Sequence, residues 1–385
     1  MRFSLLLIIP VLASTQVRLE RVDPASIAPA DSKLLSNSRT VNDLACRPAP
    51  VKPAIGLDLR FHSGYEVTLQ LQNIAGRGGE LRTVVRVTPV ARPDRPVFLA
   101  ASIPVPPQGP ASNGEADLKG EYVVGPGQYR VDWLTAAGGL SCSAHWQIET
   151  KADASLRGVP LGMPANTADA VPADPFDDGS DKPPTAAHGF NVKLLVNFSA
   201  PGLDTGSMTS DDLRGITAIL QGVAREPRFG RFSLVAFSVD QQRVVYRQLL
   251  ESRIDFASLG ASVRSLRFGT VPLQQLSNPD STDNFVARIL QEELGSHDPP
   301  PDAIVIVSPT MLDDKRIRKR ISSAQLHVTC PVFYLSYNPN PAKYPWSGSL
   351  ADAAKAFHAQ EFTISGPKDL TSALRKMIDS MSPGR

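Results

Sequence analysis

The sequence predicts an all-β sandwich followed by an α/β unit built on a doubly wound mixed sheet. Apolar residues alternate with period two between positions 57 and 149, as strands with one buried face require. Continuous apolar runs of strand length recur after position 190, as strands buried on both faces require. The stretch between them is rich in Pro, Ala, Asp and Gly and poor in large apolar residues.

The composition bounds the function. A chain of 385 residues can bury two cores. Its 40 Lys and Arg face 38 Asp and Glu, a formal net charge of +2, so no long-range field draws it to nucleic acid. Arg2 precedes the apolar run Phe3 to Leu12, which is too short to cross a bilayer and leads into the small residue Ala13. Residues 1–13 read as a signal peptide, and the mature chain is expected outside the cytoplasm, in the periplasm or released, with no membrane span. In that oxidising setting Cys46 and Cys142 are expected to form a disulfide. Cys330, beside the apolar run Val332 to Leu335, is expected to be an inert core thiol.

Residues 14–45 are polar and without period, with Pro24, Pro29, Asn37 and Asn42, and read as a flexible leader. Residues 46–151 read as the sandwich. Val67, Leu69 and Leu71 share one face, Leu81 to Val87 is a β-branched run, and Tyr129 to Trp133 alternate. Further strands are expected at 97–103, 118–124 and 141–149. About seven short strands in roughly 100 residues is the pattern of an immunoglobulin-like sandwich, with Trp133 and Trp146 filling its core. Residues 152–189 read as a linker, whose Asp174, Asp177, Asp178 and Asp181 lack the Gly and closing Glu of an EF-hand calcium loop.

Residues 190–385 form the α/β unit. Strands are expected at 192–196, 234–237, 304–307 and 332–335. Leu213, Ile216, Ile219, Leu220 and Val223 recur at helical spacing after the capping residues Ser210 and Asp211. Phe285, Ile289, Leu290 and Leu294 do so after Asp280 and Ser281, and Leu370, Leu374, Met377, Ile378 and Met381 after Gly366 and Pro367. Only Val239 to Gln242 separate the strand ending at Ser238 from one starting at Arg243. That is too short for a crossover helix, so an antiparallel edge strand is expected.

The first of these strands ends in Asn197-Phe198-Ser199-Ala200-Pro201. Phe268-Gly269-Thr270-Val271-Pro272-Leu273 lies downstream, and the strand 304–307 runs into Ser308-Pro309. This order of elements resembles the von Willebrand factor type A domain, in particular secreted bacterial proteins that carry such a domain behind a strand-rich region. The resemblance implies a metal-ion-dependent adhesion site, built from Asp-x-Ser-x-Ser, a Thr and a later Asp, that holds Mg²⁺ for a carboxylate of the partner. Here Asn197 stands at the first Asp, Ser199 agrees, Pro201 replaces the second Ser, Thr270 matches the Thr, and Ser308 stands where the last Asp is usual. Neutral oxygens rarely offset the dehydration of Mg²⁺, so a degenerate site without metal or cofactor is expected.

Enzyme signatures are sparse. There is no Gly-x-Ser-x-Gly elbow, phosphate-binding Gly-rich loop, His-Glu-x-x-His or Cys-x-x-Cys. A hydrolase would need Ser199 as nucleophile with His297, His327 or His358 as base. The basic run Lys315, Arg316, Arg318, Lys319 and Arg320, with Ile317 and Ile321 turned inward, reads as a solvated helical face or as a patch for an acidic partner. The expectation is a secreted, non-catalytic adhesion or scaffold protein that binds a protein or envelope component. An extracytoplasmic hydrolase and a structural subunit of an envelope assembly are the alternatives, and the sequence leaves the oligomeric state open.

Overall fold

A computed structural model describes residues 14–37, 39–75, 79–105, 115–152, 154–156, 160–177, 189–200, 208–266, 281–295, 299–311, 328–345 and 349–381. The chain divides into two compact units. The first takes residues up to Gly56, Arg60–Ala152 and Leu161–Val171; the second takes Leu57–Leu59, Asp153–Pro160 and Pro172 onward. The fold is mixed α/β and rich in sheet. Among the described residues, no helix is long and apolar enough to cross a membrane.

The first unit is a two-sheet sandwich. In chain order it holds β1 (Ser14–Val17), β2 (Glu20–Arg21), α1 (Pro29–Ser36), β3 (Arg47–Ile55), β4 (Phe61–Gln70) and the short α2 (Leu71–Ala75). There follow β5 (Gly79–Pro89), β6 (Val97–Val105), β7 (Glu115–Val124), β8 (Gly127–Ala137), β9 (Leu140–Thr150) and β10 (Ala168–Ala170). One sheet runs β1-β7-β4-β3 with β10 also on β7, and the other β2-β6-β5-β8-β9. Tyr65, Val67, Leu118 and Tyr122 of the first sheet and Val85, Leu99, Val131 and Trp133 of the second are all buried in one core. Trp133 lies at its centre, fully buried, with its ring centroid 5.4 Å from that of Tyr65. Trp146 is only half-buried at the core's margin.

The expected disulfide is present: Cys46, just ahead of β3, is bonded to Cys142 of β9, and both are buried. The bond ties one sheet to the other. Tyr129, at the start of β8, donates its hydroxyl to Gly125 O at 2.8 Å and lies 3.0 Å from Thr167 O. This back-bond fixes the β7–β8 turn in the manner of a tyrosine corner. Tyr129→Phe removes that donor, while Gly125 O keeps Thr150 Oγ1 at 2.7 Å, and should cost about 1 kcal/mol in denaturant unfolding.

Three sequence expectations change here. The supposed flexible leader is part of the sandwich. β1 pairs with β7, β2 with β6, and Val41 and Ser143 exchange bonds beside the Asn42–Cys142 bridge. Leu35 of α1 covers Val84 and Leu134 on the outer face of the second sheet. Leu71 does not extend its strand, because the chain leaves β4 at Gln70 and turns into α2. The expected linker contributes to both units: β10 pairs with β7, and Phe176 is buried in the second unit's core. The signal-peptide segment lies outside the described residues.

The second unit comprises β11 (Phe190–Asn197), α3 (Ser210–Ala224), β12 (Phe229–Ser238), β13 (Arg243–Glu251) and α4 (Phe256–Val263). It continues with α5 (Ser281–Leu294), β14 (Ala303–Pro309), β15 (Val332–Tyr337), α6 (Ser349–Lys355), β16 (Gln360–Ile364) and α7 (Pro367–Met381). The six-stranded sheet runs β13-β12-β11-β14-β15-β16. All its pairs are parallel except β12–β13, the expected hairpin. Alternate side chains feed two cores. Val192, Leu194 and Val196 meet α3, α4 and α7, while Leu195, Ile304 and Ile306 meet α5 and α6. Helices therefore cover both faces, which is why these strands are apolar almost throughout.

Local signals set the helix ends. α3 is capped by Thr209, one residue before the expected cap: its hydroxyl accepts from Asp212 N, and the Asp212 carboxylate accepts from Thr209 N at 3.0 Å. α7 begins at Pro367, and Asp369 accepts from the backbone N–H groups of Ser365 and Gly366. Phe176 packs its ring 6.2 Å from that of Phe198, and a Cβ on Gly260 would come within 2.8 Å of it. Cys330 is half-buried rather than fully inside, and burial pushes its thiol pKa up, away from the reactive thiolate.

Candidate binding site

The chain passes from β11 to β12 on one side and returns to β14 on the other, so the carboxyl ends of β11 and β14 lie side by side at a reversal of strand order. Open α/β sheets place ligands at such a point. Three of the five residues singled out from the sequence meet there. Asn197 ends β11, Ser199 follows two residues on, and Ser308 lies near the end of β14; all three are 0% exposed. Pro201 and Thr270 lie outside the described residues, as does the basic run Lys315, Arg316, Arg318, Lys319 and Arg320. The sequence comparison with the adhesion-site pattern is therefore placed in space only for Asn197, Ser199 and Ser308.

These three groups form a closed hydrogen-bond network. Asn197 Nδ2 donates to Ser308 Oγ at 3.1 Å and points at Met311 Sδ, also at 3.1 Å. Asn197 Oδ1 accepts from Ser199 Oγ at 2.7 Å and from Val239 N at 3.3 Å. Ser199 Oγ in turn accepts from Val239 N at 2.8 Å and from Asp240 N at 3.2 Å. Ser308 Oγ donates to Pro309 O at 2.9 Å. Both donors and both acceptor positions of the Asn197 amide are thus engaged. Next to them Thr310 Oγ1 and Ser336 Oγ are 2.9 Å apart, binding the end of β14 to β15.

Two participants escaped the sequence reading. Ser238, at the end of β12, has its Oγ 3.4 Å from that of Ser199 and accepts from Gln241 N. Asp240, in the hairpin turn, accepts from Ala200 N at 2.7 Å. Burial pushes the Asp240 carboxyl pKa up, against the opposing pull of the Ala200 N–H and the Ser199 hydroxyl. The signal was available: Ser238-Val239-Asp240 repeats, on the adjacent parallel strand, the polar-apolar-polar ending of Asn197-Phe198-Ser199. Connection length alone marks this stretch only as a short turn.

The described residues of the site do not fit a hard divalent cation. Mg²⁺ demands near-octahedral oxygen ligands and gives up water reluctantly. The oxygens of Asn197 and Ser199 already accept from backbone and side-chain donors, and the carboxylate in the described part of the site, Asp240, is held by Ala200 N–H. Nor does Ser199 resemble an activated nucleophile. Its hydroxyl is directed at Asn197, and His358 sits ahead of β16, at the opposite edge of the sheet. His297 and His327 lie outside the described residues.

No family model matches the chain, and no curated protein does. Solved structures give only faint likenesses. A glycosyl hydrolase family 2 member from Bacteroides cellulosilyticus is 10% identical, covering 84% of this chain and 39% of its own, with a TM-score of 0.20. A Bacteroides uniformis β-glucuronidase is 9% identical, covering 81% and 38%, at 0.18. A double mutant of Etr1p is 12% identical, covering 87% and 88%, at 0.23. The chain thus spans well under half the length of the two hydrolases. At such scores none of these likenesses carries a fold or an activity over to this protein.

Proposed function

We propose that this chain is an extracytoplasmic, non-catalytic adhesion or scaffold protein. In this reading the second unit is a von Willebrand factor type A-like domain with a degenerate adhesion site. It grips a protein or envelope component at the carboxyl edge of its sheet without a divalent cation, and the immunoglobulin-like sandwich serves as spacer or second surface. The observation that carries the reading is the closed Asn197–Ser199–Ser308 network, in which neutral side chains bind one another at the reversal of strand order. A Cys46–Cys142 bond, stable in oxidising compartments, supports the location.

Calorimetric titration with Mg²⁺, Mn²⁺ and Ca²⁺ is the test. No heat of binding should appear at millimolar ion, and partner retention from envelope extract should be the same with and without chelator; a micromolar affinity for any of the three ions would overturn the reading. The network itself makes a further prediction. Asn197→Asp replaces a donor to Ser308 with a buried anion and should cost about 2–3 kcal/mol at neutral pH, read by denaturant unfolding. Because the buried carboxyl has a raised pKa, that loss should shrink as pH falls toward the ordinary aspartate range near ~3.9.

A further inference from the structure

Among the described residues the second unit's sheet ends in β13, a nine-residue strand with no proline. Sheet edges expose unpaired backbone donors and acceptors, and proteins usually guard them. The sandwich does so: its edge strand β3 carries Pro48, Pro50 and Pro53. β13 has charged residues and two pairing irregularities but no proline; it also carries Val244, Val245, Tyr246, Leu249 and Leu250, and Leu249 is 82% exposed, more than any other large apolar side chain among the described residues. A groove of about 960 Å³ runs along this strand, lined by Tyr246 to Leu249 and by the segment from Glu251 to Ala257.

We propose that β13 is a pairing edge for a second copy of this chain, the two strands running antiparallel about a two-fold axis. Residues opposite each other in an antiparallel pair share a face, so the axis must pass through a residue rather than between two. An axis at Arg247 sets Arg243 against Glu251 at both ends, Val244 against Leu250, and Val245 against the exposed Leu249. Neighbouring registers lose this match: an axis at Tyr246 puts Arg243 against Leu249, and one at Gln248 puts Val245 against Glu251. The two irregularities in the β12–β13 pairing lie on either side of Arg247, one beyond Tyr246 and one beyond Gln248, so they also face each other in this register. Arg247 meets its own copy, but each guanidinium is already held by Glu293 and has Glu292 at 3.9 Å. Arg243 and Glu251 are both exposed, and among the described residues Arg243 donates to Ser265. The interface is isologous and uses none of the groups at the carboxyl edge of the sheet, so it stands apart from the proposed binding function.

Sedimentation velocity of the full chain over a concentration series is the experiment. The wild type should show a reversible monomer–dimer equilibrium. Leu249→Lys, at an exposed position that leaves the fold intact by circular dichroism, should weaken the dimer by about tenfold or more. Glu251→Arg should weaken it by a similar factor by opposing like charges, and adding Arg243→Glu to that variant should restore it. A wild type that stays monomeric, a dimer indifferent to Leu249→Lys, or a charge swap that fails to restore pairing would each overturn the proposal.

Discussion

Glu293→Ala should lower the stability of the second unit by about 3–5 kcal/mol, the range found when one partner of a buried ion pair is removed. Lys193 lies in β11, the strand with neighbours on both sides in the middle of the sheet, and its side chain is 8% exposed. It bonds Glu293 of α5 at 2.6 Å, and Arg247 of the edge strand binds the same carboxylate. Remove the carboxylate, and two cations face each other over an apolar core. Arg247 is half exposed and can turn to water, whereas Lys193 cannot. Burial already pulls the Lys193 pKa down against the raising effect of Glu293, so the variant's ammonium should lose its proton at a lower pH still. Chemical denaturation decides the matter; a loss under ~1 kcal/mol would show that the triad is not a keystone. Lys193→Met combined with Glu293→Leu should come close to neutral, because well-packed apolar residues replace a buried pair without leaving a charge behind.

The same triad gives the acid limb of the stability curve a sign. Burial pushes the Glu293 carboxyl pKa up, but the bonds and charges of Lys193 and Arg247 more than reverse this and hold it below its ordinary value. A depressed folded-state pKa contributes stability above the unfolded-state value, near ~4.3, and loses it as pH falls through the lower folded-state value. Wild type should therefore lose stability on acidification more steeply than Glu293→Gln, measured by unfolding between pH 2 and 5.

Cys46→Ala with Cys142→Ala should cost about 2–5 kcal/mol, and the loss should fall on the sandwich. The two cysteines are 96 positions apart, so the bond removes much of the unfolded chain's freedom in the entropy account of disulfides. It also joins the two sheets at the end where β9 takes its backbone partners from the chain's first part. Unfolding of oxidised and reduced protein, compared with the double variant, checks this; equal midpoints in all three would refute it.

Much of this was legible in the sequence. Strands such as Ile304 to Val307 announce themselves because both faces are buried, leaving no position for a polar side chain. The β12–β13 hairpin followed from connection length alone. What stayed hidden depends on partners far along the chain. Ser14–Val17 is a strand only because Asp117–Gly120 lies beside it, and Ala168–Ala170 only because of Tyr122–Val124. Neither segment has a period of its own to reveal it. The site divided in the same way. Asn197, Ser199 and Ser308 could be named from strand endings, but Asp240 belongs to the network through its fold-given approach to Ala200. Lys193 stands inside an apolar run, and nothing local names Glu293, 100 positions away, as its counterpart.

Phe176 has a practical consequence for anyone dividing the protein. Its ring fills space between Phe198 and Gly260, although it comes before the first strand of the sheet it supports. A fragment begun at position 190 would carry an aromatic-sized hole against the middle of α4, and a protease nick between 177 and 189 would leave that plug on the other piece. Expression boundaries should be drawn upstream of Asp174.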